Sequence, residues 1–183
     1  ATLVRCSLLN SSSAAAGGAA IVLDGELLLL DCLVRRSSST YGGAFCVNGA
    51  SSLLLQRSVI SMSSAFLGGV IYSVGDSNTA FVIECDISDS TAASGGAVCA
   101  FFGSSVSISC KSKISHSSAF VSGGVFFARA GVISLSDGCL VSHSRATLGG
   151  GMLACVLSLF TVNNCTIEHS TVSEPLDGGG ALW

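Results

Sequence analysis

The chain is poor in charge and in proline, and the shortage of charge excludes one class of protein. Only 10% of its 183 residues are charged and the net charge is −3, so no basic cluster is available to bind nucleic-acid phosphates. Proline occurs once, at Pro175, beside 22 glycines. No apolar run approaches the ~18 residues of a membrane-spanning helix, and no longer window has a helical period. We therefore expect the apolar half of the composition to fill the core of an all-β fold.

A repeat is visible first as glycine pairs. Their first members lie 25 to 29 residues apart, and a small apolar residue usually follows, as at Ala19, Ala44 and Val70. The pairs are Gly17–Gly18, Gly42–Gly43, Gly68–Gly69, Gly95–Gly96, Gly123–Gly124, Gly149–Gly150 and Gly178–Gly179. Glycine suits a corner where the backbone takes a positive φ or where two segments approach closely.

Two further markers precede each glycine pair. One is an aliphatic residue followed three positions later by serine: Leu8…Ser11, Val34…Ser37, Ile60…Ser63, Ile87…Ser90, Ile114…Ser117, Val141…Ser144 and Ile167…Ser170. The other lies five residues before that serine: Cys6, Cys32, Ser58, Cys85, Ser112, Cys139 and Cys165. Seven units carrying all three markers indicate a true internal repeat.

A unit of about 26 residues with short alternating apolar segments predicts one turn of a right-handed, single-stranded parallel β-helix. We expect three short strands per unit and seven coils, each strand pairing with its equivalent in the next coil at ~4.8 Å. A propeller blade needs ~40 residues, and the leucine-rich pattern is absent. Residues 1–183 are expected to form one such segment, a fragment of a longer repeat protein.

The glycine motif gives the chain a likeness to a known family. Gly-Gly-Ala and Gly-Gly-Val, as at residues 17–19 and 68–70, resemble the GGA[ILV] motif of chlamydial polymorphic outer membrane proteins. That family's second motif is FxxN, whereas this chain has [LIV]xxS. The resemblance covers the whole chain and implies a β-helix with a surface-exposed, adhesive or structural role.

Alignment on the motif serine turns sequence positions into expected physical columns. The column six residues earlier begins with five charges of alternating sign, so neighbours on adjacent coils should attract. Its members, here named the charge column, are Arg5, Asp31, Arg57, Glu84, Lys111, Gly138 and Asn164. Each exposed pair is worth only ~0.2–1 kcal/mol, but opposite signs also penalise a slip of register.

A second column, directly before the serine, ends in three histidines. This histidine column reads Asn10, Arg36, Met62, Asp89, His116, His143 and His169. His116, His143 and His169 are candidate ligands for Zn²⁺ or Cu²⁺. A pH-sensitive surface is an alternative, since three imidazolium groups would repel one another. The third alternative is an exposed polar column without a ligand, and we predict no organic cofactor.

Nine cysteines favour an oxidising, extracellular setting, and the odd number leaves at least one thiol unpaired. Cys6 with Cys32, and Cys139 with Cys165, occupy neighbouring coils within disulfide range. Buried free thiols are the alternative, because cross-coil bridges strain a parallel ladder. Cys46 and Cys99 should share a column two coils apart, too far to bridge.

Two sequons, at Asn10 and Asn164, lie in columns expected to face outward, so both are candidate glycosylation sites. Together these features predict a non-enzymatic extracellular or cell-surface β-helix, structural or adhesive, a component of a surface, filament or appendage.

The alternative function is a carbohydrate-binding or polysaccharide-degrading β-helix, which requires clustered carboxylates. Asp86 and Asp89 form the only close outward pair, and Asp86 should face Lys113 on the next coil. Ice binding ranks last, because threonine forms no column. Expected partners are further coils of the same protein or head-to-tail copies, with glycans or cell-surface proteins as ligands and neither nucleic acid nor a membrane span.

Overall fold

A computed structural model describes residues 1–173 of the chain. These residues form no helix, and hence none with the length and apolar character to cross a membrane. Short strands pair in parallel between successive turns of the chain and build four sheets, here named A to D in the order in which each coil passes through them. The fold is therefore a parallel β-solenoid, as the repeat predicts.

Sheets A and B each contain seven strands and form two adjoining walls. The strands of sheet A are β1 Thr2–Val4, β4 Glu26–Leu30, β7 Ser52–Gln56, β10 Thr79–Ile83, β14 Ser105–Ser109, β18 Val132–Leu135 and β22 Leu159–Val162. Those of sheet B are β2 Ser7–Leu9, β5 Leu33–Arg35, β8 Val59–Ser61, β11 Asp86–Ser88, β15 Lys113–Ser115, β19 Leu140–Ser142 and β23 Thr166–Glu168.

Sheets C and D complete each coil. Sheet C holds β12 Thr91–Ser94, β16 Ser118–Ser122, β20 Arg145–Ala146 and β24 Thr171–Val172. Sheet D holds β3 Ala20–Leu23, β6 Phe45–Asn48, β9 Ile71–Val74, β13 Val98–Phe101, β17 Phe126–Arg129 and β21 Leu153–Val156. In the first coils, sheet C is reduced to single bridges such as Ser12 with Ser38. The expectation of three strands per coil therefore holds for the first three coils, and the later coils have a fourth strand in sheet C.

The register follows the serine motif. Its aliphatic residues pair in one continuous column from Leu8 to Ile167 through sheet B. In sheet D, the sequence separation of paired residues ranges from 25, for Ala20 and Phe45, to 28, for Val98 and Phe126. Seven strands in a sheet enclose about six turns of about 27 residues. The predicted coil count of seven is slightly too high, and its last glycine pair, Gly178–Gly179, lies outside the described residues.

The core is a stack of aliphatic columns inside the coil. Alternate residues of each strand point inward, so β14 buries Val106 and Ile108 completely while its serines face outward. Ile87, Ile114 and Phe126 are at most 1% exposed. Burying a side chain of this size contributes ~1.5–3 kcal/mol, so these columns supply most of the drive for stacking.

Both polar columns predicted from the sequence form corners of the coil. Every described member of the charge column has a φ between 47° and 80°, and every member of the histidine column has a φ between 52° and 57°. A β-branched side chain is strongly disfavoured in this left-handed region, whereas Asn, Asp and His are enriched there. The backbone thus explains why neither column contains Val, Ile or Thr.

The glycine pairs form another corner, where coils approach most closely. The first glycine of a pair has a positive φ, for example 62° at Gly95. The second lies against the next coil, so that a Cβ on Gly96 would overlap the carbonyl oxygen of Gly124. In the sixth described coil the corner is formed by Gly150 and Gly151, not by the predicted Gly149 and Gly150. Gly150 has the positive φ of 54°, and Gly151 receives the contact from Gly124.

The motif serines point into the solenoid and are buried from Ser37 to Ser144. Two pairs bond across neighbouring coils, Ser90 with Ser117 at 2.9 Å and Ser144 with Ser170 at 2.8 Å. Of the motif serines that the structure describes, Ser37 and Ser63 have buried hydroxyls with no hydrogen-bond partner.

Replacement of a motif serine by alanine should have different effects at a hydroxyl that is hydrogen-bonded and at one that is not. Ser117→Ala should lower the free energy of unfolding by about 1–2 kcal/mol, because it leaves the buried Ser90 hydroxyl without a partner. Ser63→Ala should be neutral or slightly stabilising, because it removes a buried hydroxyl that makes no hydrogen bond. Urea unfolding followed by circular dichroism measures both, and equal losses would contradict this account of the serine column.

Candidate functional site

The outward columns are the candidate functional surface of the solenoid. In the charge column the five charged side chains are exposed, as predicted. Arg57 donates to both carboxylate oxygens of Asp31, at 2.8 and 3.2 Å, which is the one ion pair within residues 1–173. This hydrogen bonding lowers the pKa of Asp31, and the charge of Arg5 adds to the effect. The alternating signs of the charge column therefore produce one direct ion pair, and the other charged neighbours in the column interact at longer range.

The three histidines lie side by side on consecutive coils, as the alignment predicts. The ring centroids of His116 and His143 are 4.9 Å apart with planes 12° from parallel. Those of His143 and His169 are 4.8 Å apart with an interplanar angle of 23°. All three side chains are exposed. Stacking at this distance follows from the coil spacing, because each residue has the same left-handed corner conformation.

In this stacked arrangement the ring nitrogens lie in parallel planes. Lone pairs of imidazole nitrogens lie in the ring plane, so three stacked rings do not point at one common ion. Consistent with this, no group of three His, Cys, Asp or Glu side chains in the described part of the chain is arranged as a metal site. Metal binding by His116, His143 and His169 therefore remains a prediction, and it requires the rings to turn.

All nine cysteines are free thiols, so neither predicted bridge, Cys6–Cys32 or Cys139–Cys165, is formed. In their column each cysteine or serine instead donates to a backbone carbonyl two or three residues earlier in the corner. The acceptors are the carbonyls of Val4, Leu30, Gln56, Ile83, Ser109, Ser136 and Asn163 for Cys6, Cys32, Ser58, Cys85, Ser112, Cys139 and Cys165 respectively. This position requires a small side chain with one hydrogen-bond donor, and both cysteine and serine meet that requirement. Either residue can therefore occur in the column.

Burial makes several of these thiols poor nucleophiles. It raises the pKa of Cys46 to about 11 and that of Cys139 to about 11, in the latter case with a further contribution from neighbouring Cys165. Burial also raises the pKa of the fully enclosed Cys99. Cys46 and Cys99 share a column, separated by Tyr72, as predicted. Since the thiolate is the reactive form, the raised pKa values of these groups disfavour nucleophilic chemistry.

The two sequon asparagines, Asn10 and Asn164, are exposed at left-handed corners, with φ of 54° and 53°. Their accessibility satisfies one requirement for glycosylation, which stays a prediction. Asp86 pairs in register with Lys113 on the next coil, as expected.

One feature of the surface was missed in the sequence. Over its first four coils the outward face of sheet A carries a group of apolar side chains, which we name the sheet A patch, and the polar residues Ser52, Gln56 and Thr79 lie beside them. Val4 is 49% exposed and Phe81 is 42% exposed. The patch comprises Val4, Leu28, Leu30, Leu54, Phe81 and Ile83. Alternation alone could not reveal it, because in these strands both the inward and the outward residues are apolar.

The patch ends abruptly along one column. Leu28, Leu54 and Phe81 are followed on the next two coils by Ser107 and Ser134. This column is therefore apolar at one end of the solenoid and hydroxyl-bearing at the other, while Leu159 beside it on β22 is again exposed. Contiguous exposed apolar groups on a soluble domain mark interaction sites.

The fold and these columns define the chain as a parallel β-solenoid with a columnar surface. Comparisons with protein-family models, with curated proteins and with solved structures found no match to it. The resemblance to chlamydial polymorphic outer membrane proteins accordingly remains a prediction from its motifs.

Proposed function

We propose that this chain is a non-catalytic structural or adhesive rod of the extracellular space or cell surface, which binds through its flat faces. The observation that carries the proposal is the unbroken stacking of coils with an exposed apolar patch on one wall. Such stacking repeats outward side chains at a fixed ~4.8 Å step, which suits an extended contact surface. The accessible asparagines at Asn10 and Asn164 agree with an extracellular location.

The partner that we propose for the sheet A patch is a second copy of the same chain. A flat sheet face can pack on an identical face about 10 Å away, and a two-fold axis makes the contact self-complementary. The patch itself contains no charged side chain, so charges would meet only at its rim, where Glu26 borders one side and the charge column from Arg5 to Glu84 borders the other. Side-by-side rods are the simplest unit of a filament or surface layer.

Sedimentation velocity over a range of concentrations tests this proposal. The native chain is expected to form dimers as concentration rises, and the double variant Leu54→Ser with Phe81→Ser is expected to stay monomeric. Val59→Ser is the matched control, because Val59 is 44% exposed on sheet B, away from the patch. Circular dichroism verifies that each variant is folded. A native chain that stays monomeric, or a double variant that dimerises equally well, would rule out this partner.

Glycan binding is the second candidate function, and one observation favours it. Phe66 and Phe120 are 61% and 73% exposed at the edge of sheet C. Ala93 lies on the coil between them. Its backbone N–H donates to the carbonyl of Phe66 on one side, and on the other side it faces the bulge in β16 that contains Phe120. Exposed aromatic rings can pack against the C–H groups of sugar rings, and Ser64, Thr91 and Ser118 line up beside Phe66 and Phe120.

Affinity electrophoresis through gels containing neutral or acidic polysaccharides tests the second candidate. Retardation of the native chain that is lost in Phe66→Ala with Phe120→Ala would support glycan binding at this edge. Mobility unchanged by every polysaccharide would contradict it. Release of reducing ends from the same polysaccharides would contradict the non-catalytic proposal itself.

A further inference from the structure

Every histidine of the chain lies in one column and on consecutive coils. The sequence contains three histidines, and they are His116, His143 and His169. The left-handed corner explains why these positions hold unbranched polar residues. It does not require that the same residue type recur on three neighbouring coils, since Asn10, Arg36 and Met62 adopt the same conformation. A second cause is needed for the histidines, and ligand binding supplies one.

The surroundings of the three rings favour a cation. Asp89 occupies the same column one coil before His116, and Glu168 directly precedes His169. Both carboxylates are exposed, so the stripe has a negative group at each end. Two cations lie nearby in the sequence: Lys113 is three residues before His116, and Arg145 is two residues after His143 and donates from its guanidinium to the Ser173 hydroxyl at 3.0 Å. Asp89 and Glu168 directly adjoin the histidines in the column or in the chain, whereas Lys113 and Arg145 are two or three residues away.

We propose that His116, His143 and His169 form an exposed site for a divalent transition-metal ion such as Ni²⁺ or Zn²⁺. Imidazole is a preferred ligand of these ions, with metal–nitrogen bonds of about 2.0–2.1 Å for zinc. Two nitrogens that share one ion thus lie at most about 4.2 Å apart. Rings on adjacent coils, with centroids 4.8 and 4.9 Å apart, reach this separation by a modest rotation. Their exposure leaves room for that rotation.

The ladder makes the middle histidine the shared ligand. His116 and His169 lie two coils apart, roughly 9.6 Å by the strand spacing, which is too far for one ion. His143 is adjacent to both. The site therefore consists of two overlapping pairs, His116 with His143 and His143 with His169, and only removal of His143 destroys both.

Isothermal titration of the full chain with NiCl₂ at pH 7.5 tests this arrangement. We expect one equivalent to bind the native chain, and His143→Gln to weaken binding by about tenfold or more. His116→Gln and His169→Gln should each leave one pair and cost less. Absence of heat with the native chain would overturn the proposal. Equal losses for His143→Gln and His116→Gln would also overturn it, because they would show that the ladder does not define the site.

Two controls separate the imidazoles from other ligands. Met62→Gln changes an exposed member of the same column away from the histidines and should leave Ni²⁺ binding unchanged. Cys110→Ser removes an exposed thiol and should likewise have no effect. Loss of binding in Cys110→Ser would place the ion on sulfur and contradict the proposal. The nitrogen resonances of the three imidazoles should broaden on addition of Ni²⁺, and unaltered resonances would contradict it as well.

Discussion

Gly96→Ala is expected to lower the free energy of unfolding by about 3 kcal/mol or more, at the upper end of overpacking costs. A Cβ at this position would overlap the carbonyl oxygen of Gly124 and would approach the backbone of Ser118. Both obstacles are main-chain atoms of the next coil, which cannot rotate away as a side chain can. The substitution would therefore push two coils apart at their closest approach and weaken pairing on both sides.

Gly25→Ala is the matched control for that prediction. Gly25 has no positive φ, and the nearest atom to an added Cβ is the Leu23 carbonyl oxygen at 3.6 Å, an ordinary contact. Its effect on stability should lie within about 0.5 kcal/mol. Urea unfolding of both variants gives the comparison. Similar losses for Gly96→Ala and Gly25→Ala would mean that the glycine corner is not the point of closest approach.

Ile87→Ala is expected to cost about 2–5 kcal/mol. Ile87 is fully buried and stands in the middle of the inner column of sheet B, between Ile60 and Ile114. Truncation removes three carbon atoms from a position enclosed by coils on both sides. Neighbouring coils are held in register by their own hydrogen bonds, so the space can close only in part and a cavity remains.

Val59→Ala is the control for Ile87→Ala. Val59 lies on the outward face of the same sheet, beside Asp86, and is 44% exposed. We expect it to change stability by about 0.5 kcal/mol or less, as measured by the same urea titration. A loss at Val59 comparable to that at Ile87 would show that the faces of sheet B are assigned the wrong way round.

The register could be predicted from the sequence because the period of a strand is two. A slip of one residue would turn Ile60, Ile87 and Ile114 outward together, so only one alignment of the motif buries them. The register then placed the histidines and the charge column without further information. Asp86 opposite Lys113 followed from the same alignment.

The sequence could not predict features that depend on local backbone geometry or rotamers. The glycine corner of the sixth described coil lies at Gly150 and Gly151, and the run Gly149–Gly150–Gly151 does not tell which glycine takes the positive φ. Similarly, the ion pair of Arg57 with Asp31 depends on the rotamers of two exposed side chains. The stacked orientation of the imidazoles likewise depends on the side-chain rotamers of the histidines.

The sheet A patch was missed for a different reason. Leu27 and Leu28 are adjacent and equally apolar, but one faces the core and the other faces outward. An unbroken apolar run is ambiguous between a strand buried on both faces and one with an exposed apolar face. Only the assembled coils show that Phe81 is exposed and that Leu28 and Leu54 are half-buried on the outward face.

In this solenoid, residues 25 to 28 positions apart stack on neighbouring coils. Nuclear Overhauser contacts between isotope-labelled methyl groups of Ile, Leu and Val test it most directly. We expect a single chain of contacts from Val34 to Ile60, then Ile87, Ile114 and Val141. Contacts that skip a coil, or contacts of Ile87 with outward residues such as Val59 in place of Ile60, would contradict the solenoid and the columns derived from it.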